Sequence, residues 1–278
     1  MVTAAIMSSL VWSAATTARL AAQTKNAESA PPASPAAPAP APRMADGHPD
    51  LSGVWWPGAD IGGRNPNAAG GRGGAPTGGR GPAQRPTTFS SLYQPSAQAK
   101  AKTLGDKDDP SLGCVPTAFG TLNVSLFDVG AVGQIVQTPK FLIMLTETYN
   151  GFQIIPFDGR PHRDVPPSNR GDAVGRWEGD TLVVDKTNFT DTSWISAEGR
   201  VSFHSDTLHV VERYRRVDAN TLEIEATLED PKVLTGPWTV PKQTLKLAPF
   251  DQIMELACDG AGAQSLINAA AQQSSGKN

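Results

Sequence analysis

The sequence predicts an all-β fold: an antiparallel, up-and-down barrel preceded by a disordered N-terminal region. Three observations carry this. From Cys114 onward, turn residues punctuate the chain about every ten positions, the rhythm of short strands. The connections are short and no long amphipathic helix intervenes, so each strand should pair with its chain neighbour. One stretch, Gly175-Arg176-Trp177-Glu178-Gly179-Asp180-Thr181-Leu182-Val183-Val184-Asp185, reads directly as two runs meeting at a tight turn. With about eight to ten strands, closure removes exposed edges. A two-sheet sandwich is the alternative.

Composition divides the chain. Of 278 residues, 27 are Gly and 24 are Pro, concentrated before position 90. Such sequence cannot bury enough apolar area to offset chain entropy. The region able to form a core is 110–258. A formal charge of −3 and a pI near 5.8 offer no general attraction to nucleic acid or an anionic membrane. No run of about 18 apolar residues exists, so no membrane-spanning helix is expected.

Taken in order, residues 1–23 resemble a secretory signal. A short apolar run from Ala4 to Trp12 precedes small residues and Leu20-Ala21-Ala22-Gln23, although no Lys or Arg comes before the run. Residues 24–49 form an Ala/Pro-rich linker. Residues 50–109 hold a docking strand ending in Trp55-Trp56, a flexible Gly-rich loop with Arg64, Arg72 and Arg80, and a short helix near 93–102 with Ser96 as N-cap. The barrel domain spans 110–258, and 259–278 is a disordered tail.

Within the barrel domain, Asn150-Gly151 joins the runs 141–149 and 152–157. A two-residue turn at Gly179-Asp180 would oppose Trp177 to Leu182 and Gly175 to Val184. The runs 208–217 and 221–229 meet at Asp218-Ala219-Asn220. A two-residue loop there would set Arg215 against Ile224 and bury arginines. A three-residue loop, with left-handed Asn220, sets Arg215 against Glu223 and Arg213 against Glu225, which is favourable by roughly 0.2–1 kcal/mol per pair. The second register follows, and it turns Leu208, Val210, Glu212 and Tyr214 inward. Runs at 238–247 and 252–258 supply the last strands.

Cys114 and Cys258 are the two cysteines. In a reducing compartment they read as separate buried thiols; in an exported chain they read as one disulfide.

Several motifs in one order resemble an uncharacterised family of exported bacterial β-rich proteins. They are Asp50-Leu51-Ser52-Gly53-Val54-Trp55, Ile155-Pro156-Phe157-Asp158-Gly159-Arg160-Pro161-His162, the hairpin at 175–185, and His209-Val210-Val211-Glu212-Arg213. The resemblance implies a periplasmic or extracellular location, a calycin-like domain and a Cys114–Cys258 bridge. It implies no activity.

The chemistry is diffuse. The four histidines lack zinc-ligand spacing, so no metal is expected, and no motif implies a cofactor. Catalytic candidates are Glu212, His162, His204 and Asp158, a carboxylate-and-imidazole set suited to acid–base work. Ligand-binding candidates are Trp177, Tyr214, Arg160 and Trp194. The leading function is a barrel that holds an apolar or aromatic small molecule, lined by Trp177, Leu182, Val210, Tyr214 and Ile224. The alternatives are a cofactor-independent lyase, isomerase or hydrolase using Glu212 with His162 or His204, and a cell-envelope scaffold.

Overall fold

The computed structural model describes residues 38–57, 88–119, 132–147, 151–195, 201–254 and 258. The signal-like segment, most of the Ala/Pro linker, the Gly-rich loop, Asn150 and the 259–278 tail lie outside the described residues.

Nine strands form one sheet: β1 Gly53–Trp56, β2 Gly133–Gln137, β3 Phe141–Thr146, β4 Gly151–Pro156, β5 Asp172–Glu178, β6 Thr181–Thr187, β7 His209–Asp218, β8 Thr221–Glu229 and β9 Trp238–Leu247. The order is β4-β3-β2-β1-β9-β8-β7-β6-β5, every pair is antiparallel, and the sheet is a nearly closed barrel. The all-β up-and-down reading therefore holds over the sandwich alternative.

The Trp55-Trp56 strand does more than dock. β1 lies between β2 and β9 and joins the two halves of the barrel. Trp55 is fully buried there, and its indole donates to the Leu51 carbonyl. The strand expected at 252–258 does not form at 252–254, and 255–257 lie outside the described residues. β1 takes the place beside β9 instead.

The hairpin registers follow side-chain alternation. Trp177 faces Leu182 and Gly175 faces Val184, with Gly179 at φ +60° in the turn. Arg215 faces Glu223 and Arg213 faces Glu225, as the charge argument requires. The device differs from the expected one. Asn220 is not left-handed; a bulge between Arg216 and Asp218 absorbs the odd residue, and the Asp218 carboxylate accepts from the Asn220 amide. A bulge suits this site because it leaves the Arg–Glu ladder intact.

Inward positions fall into two apolar clusters. One holds Leu182, Val184, Tyr214, Leu222, Ile224 and Leu245; the other holds Phe189, Val210, Ala226, Leu228, Trp238 and Val240. Along β6, β7 and β9 the side chains at the boundary are Lys186, Glu212 and Gln243, all buried. The barrel therefore has a polar layer between two apolar ones.

Both ends are covered. At one, Arg43 pairs with Asp180, His48 stacks on Trp177, and Gln137 holds the Leu51 amide and the Pro49 carbonyl. At the other lie Phe89, Tyr93 and the helix α1, Pro95–Ala101. The N-cap of α1 is Gln94 rather than Ser96, because Pro95 takes the first helical position, where its missing N–H costs nothing.

A disulfide joins Cys114 to Cys258 across 144 residues of chain. In the chain-entropy account, closing a loop of that length contributes about 5 kcal/mol. We expect the Cys114→Ser/Cys258→Ser variant to lose most of that in urea unfolding. A loss under about 1 kcal/mol would show that the bridge constrains little.

Candidate functional site

Nine strands that alternate in direction end with their two outer members running the same way. β4 and β5 are therefore parallel neighbours, and no ladder is formed between them among the described residues. Side chains seal part of this seam. A Cβ at Gly175 would lie 3.2 Å from an Ile155 methyl and 3.3 Å from the Phe157 Cβ, so glycine lets β5 approach closely with no neighbour having to give way. Towards the start of β4 the seam is spanned by Gln153, whose amide donates to the Arg170 carbonyl at 3.0 Å, and by the Arg170 side chain, which lies against Gly151.

The 15-residue connection between β4 and β5 runs back along the outside to start β5 parallel to β4. It is tied to the end of β6: Asn188 donates to the Val165 carbonyl, and the Ser168 amide donates to the Asn188 carbonyl. Gly171 ends it at φ +68°, where a Cβ would fall 2.5 Å from the Thr187 carbonyl oxygen.

Between this connection and the outer face of β4 is a groove of about 530 Å³. Its apolar wall is Phe141, Phe152, Ile154 and Pro156; its polar side is Arg160, Arg163, Arg170, Gln153, Ser168 and Asn169. Phe152 is 64 % exposed and Ile154 50 %, high values for large apolar side chains.

The four catalytic candidates lie in four separate places. Glu212 is in the polar layer, where its Oε2 meets the Lys186 Nζ at 2.6 Å and accepts from the Tyr214 hydroxyl at 2.7 Å. Burial pushes the Lys186 ammonium down against the opposing pull of Glu212, and Arg170 adds to the downward shift. Burial, with the Glu212 charge, raises the Tyr214 phenol well above its ordinary value, so it stays a donor. His162 lies on the outer face of the sheet, its ring nitrogens 3.1 Å from Asp172 and 3.0 Å from Asp185. His209 also reaches Asp185, at 3.1 Å. His204 is buried between the Ser193 hydroxyl and the Ser205 carbonyl, and desolvation lowers its pKa. Asp158 is exposed and held by Arg160 at a pKa of about 2.

Glu212 and His162 thus sit on opposite faces of β6, and neither shares a hydrogen bond with His204. The acid–base set does not come together. Nor does the axial pocket: Leu182, Val210, Tyr214 and Ile224 are each at most 2 % exposed, and they divide between the two clusters. Trp194 is buried in the cluster beside α1. Trp177 is covered by His48 at 4.6 Å and Phe157 at 6.2 Å, and its buried indole N–H has no partner. Of the ligand-binding candidates, Arg160 alone lines the groove.

Sequence reasoning missed Lys186, Arg163, Arg170 and Phe152. For Lys186 a signal existed: if Leu182 and Val184 face inward, so does Lys186. Among the described residues no group of three or more His, Cys, Asp or Glu could hold a metal ion. Comparison with protein-family models, curated proteins and solved structures returns no match.

Two outcomes test this geometry. Lys186→Met should destabilise by about 3–5 kcal/mol by stranding Glu212, and Lys186→Met/Glu212→Leu should recover most of the loss. A double variant as unstable as the single would mean that Glu212 is not held by Lys186. The second concerns Asp172. Burial pushes its carboxyl up, but the Arg163 amide and guanidinium, with His162, outweigh burial and hold it below its ordinary value. The stability it contributes is present above about pH 4 and lost as pH falls through the depressed value. The stability gap between wild type and Asp172→Asn should therefore narrow on acidification from pH 7 to pH 3; a constant gap would contradict it.

Proposed function

We propose that this chain is a small-molecule-binding barrel whose ligand lies in the seam groove rather than along the barrel axis. The observation that carries the reading is the groove itself. Its volume of about 530 Å³ is that of a ligand site, and one wall is apolar and exposed. Among the described residues the axis is filled by packed side chains and both ends are covered, so an axial ligand would have to displace core residues such as Leu182 and Tyr214, whereas the groove needs no rearrangement.

The ligand has an apolar or aromatic body, matched to Phe141, Phe152 and Ile154. We place its encounter outside the cytoplasm. Support comes from the signal-like segment at 1–23, from the Cys114–Cys258 disulfide, and from the resemblance to exported β-rich proteins. Among the described residues no helix is long and apolar enough to cross a membrane.

The neutral fluorophore N-phenyl-1-naphthylamine provides the test. It should bind the full chain saturably at one site, and Phe152→Ser/Ile154→Ser should weaken binding at least about tenfold, a loss of about 1.4 kcal/mol. Both side chains are exposed, so the variant should fold. Absence of saturable binding, or binding unchanged in the variant, would overturn the groove as the site.

A further inference from the structure

We infer that the groove takes an amphiphilic anion: a carboxylate, sulfonate or phosphate head carried on an aliphatic or aromatic body. The inference rests on the groove-binding reading and adds the sign of the ligand's charge. Thirteen residues line the groove; three are arginine, and none is aspartate, glutamate or lysine. The chain as a whole carries a net charge of −3, so this basic lining runs against its overall balance.

Two of the arginines, Arg163 and Arg160, still have donors to offer. Arg163 uses its Nε on Asp172 at 2.7 Å, and its two terminal nitrogens make no hydrogen bond among the described residues. Its side chain is 63 % exposed. Arg160 uses Nε and Nη2 on Asp158, leaving Nη1. The carboxylates that orient them, Asp158 and Asp172, are not part of the lining. Each guanidinium is thus held by an acid outside the lining and keeps further N–H groups, whose fork geometry suits a carboxylate or phosphate.

Neutral donors add to them. Asn169 accepts the Thr190 and Thr192 hydroxyls on its Oδ1, at 2.6 and 3.0 Å, which leaves its amide N–H groups for another acceptor. Arg170, Ser168 and Asn169 stand beside the start of β5, and Arg163 joins them through Asp172. The head lies against the connection, among these groups and Arg160. The body then runs along Phe152, Ile154 and Pro156 towards Phe141.

Displacement of N-phenyl-1-naphthylamine from the full chain tests this with three ten-carbon probes. Decanoate should displace it at least about tenfold more effectively than decanol, and decyltrimethylammonium should be weakest. The advantage of decanoate should shrink with added salt. It should also fall several-fold in Arg163→Gln and in Arg160→Gln. Because Arg163→Gln could unsettle the connection through Asp172, Arg160→Gln, an exposed change, serves as the independent variant. Gly151→Ala offers a third, since a Cβ there would lie 2.2 Å from an Arg170 terminal nitrogen and must move that side chain.

A vesicle arm separates sources of the head group. Decanoate-competed sedimentation with phosphatidylglycerol vesicles would assign the anion to a lipid; no sedimentation beside tight decanoate binding would assign it to a free acid. Equal displacement by decanol and decanoate would overturn the anion inference and leave the groove reading standing. Failure of the neutral probe to bind would overturn the groove reading itself.

Discussion

Nine strands that each pair antiparallel with the next cannot close a wholly antiparallel ring, because the first and last then run in the same direction. This parity constraint shapes the rest of the molecule. It leaves β4 and β5 as parallel neighbours, and among the described residues no ladder forms between them. It also requires a long connection, since two parallel strands cannot be joined by a tight turn. That connection has to lie over the outside of the seam, and it carries Arg160, Arg163 and Arg170 with it. The groove is a consequence of the topology, and its chemistry follows from which residues occupy the connection and the outer face of β4.

The remaining architecture keeps this opening from spreading. Gly175 allows contact with Ile155 and Phe157 at one end of the seam, and Gln153 with Arg170 spans the other. Arg216 donates to the carbonyls of Asp50, Ser52 and Ala219 and stacks over Trp55, which fastens the N-terminal segment across one barrel end. The Lys186–Glu212–Tyr214 group is as deeply buried as any polar set among the described residues. A buried ion pair adds little net stability, but it fixes which residues face which. Here it aligns β6 with β7, and so positions the β5–β6 hairpin that borders the seam.

Much of the sheet was legible in the sequence because hairpin registers are local. Alternation in Thr221–Glu229 and the cost of burying arginine were enough to set Arg215 against Glu223, and from that register Glu212 and Tyr214 turned inward. The device was misread, since a bulge and a left-handed Asn give the same pairing. The place of β1 was not legible. Its partners lie at Gly133–Gln137 and Trp238–Leu247, far along the chain, and nothing in Val54-Trp55-Trp56 names them. The candidate site was least legible. Phe152-Gln153-Ile154-Ile155 is apolar on both faces, so alternation cannot say which side meets solvent. Arg170 reads as a turn residue beside Gly171, and only the parallel seam makes it part of a wall.

The central claim is that the β4–β5 seam is both the soft line of the barrel and its binding surface. Backbone amide hydrogen exchange, with and without decanoate, addresses it most directly. Unpaired edges open at low free-energy cost, whereas interior ladders open only with global unfolding. Amides at 151–156 and 168–173 should exchange well before those of β7 and β8, and decanoate should slow the seam amides while leaving the Arg43–Asp50 end unchanged. Seam amides as protected as those of β8, or protection by decanoate confined to the covered barrel end, would contradict the account.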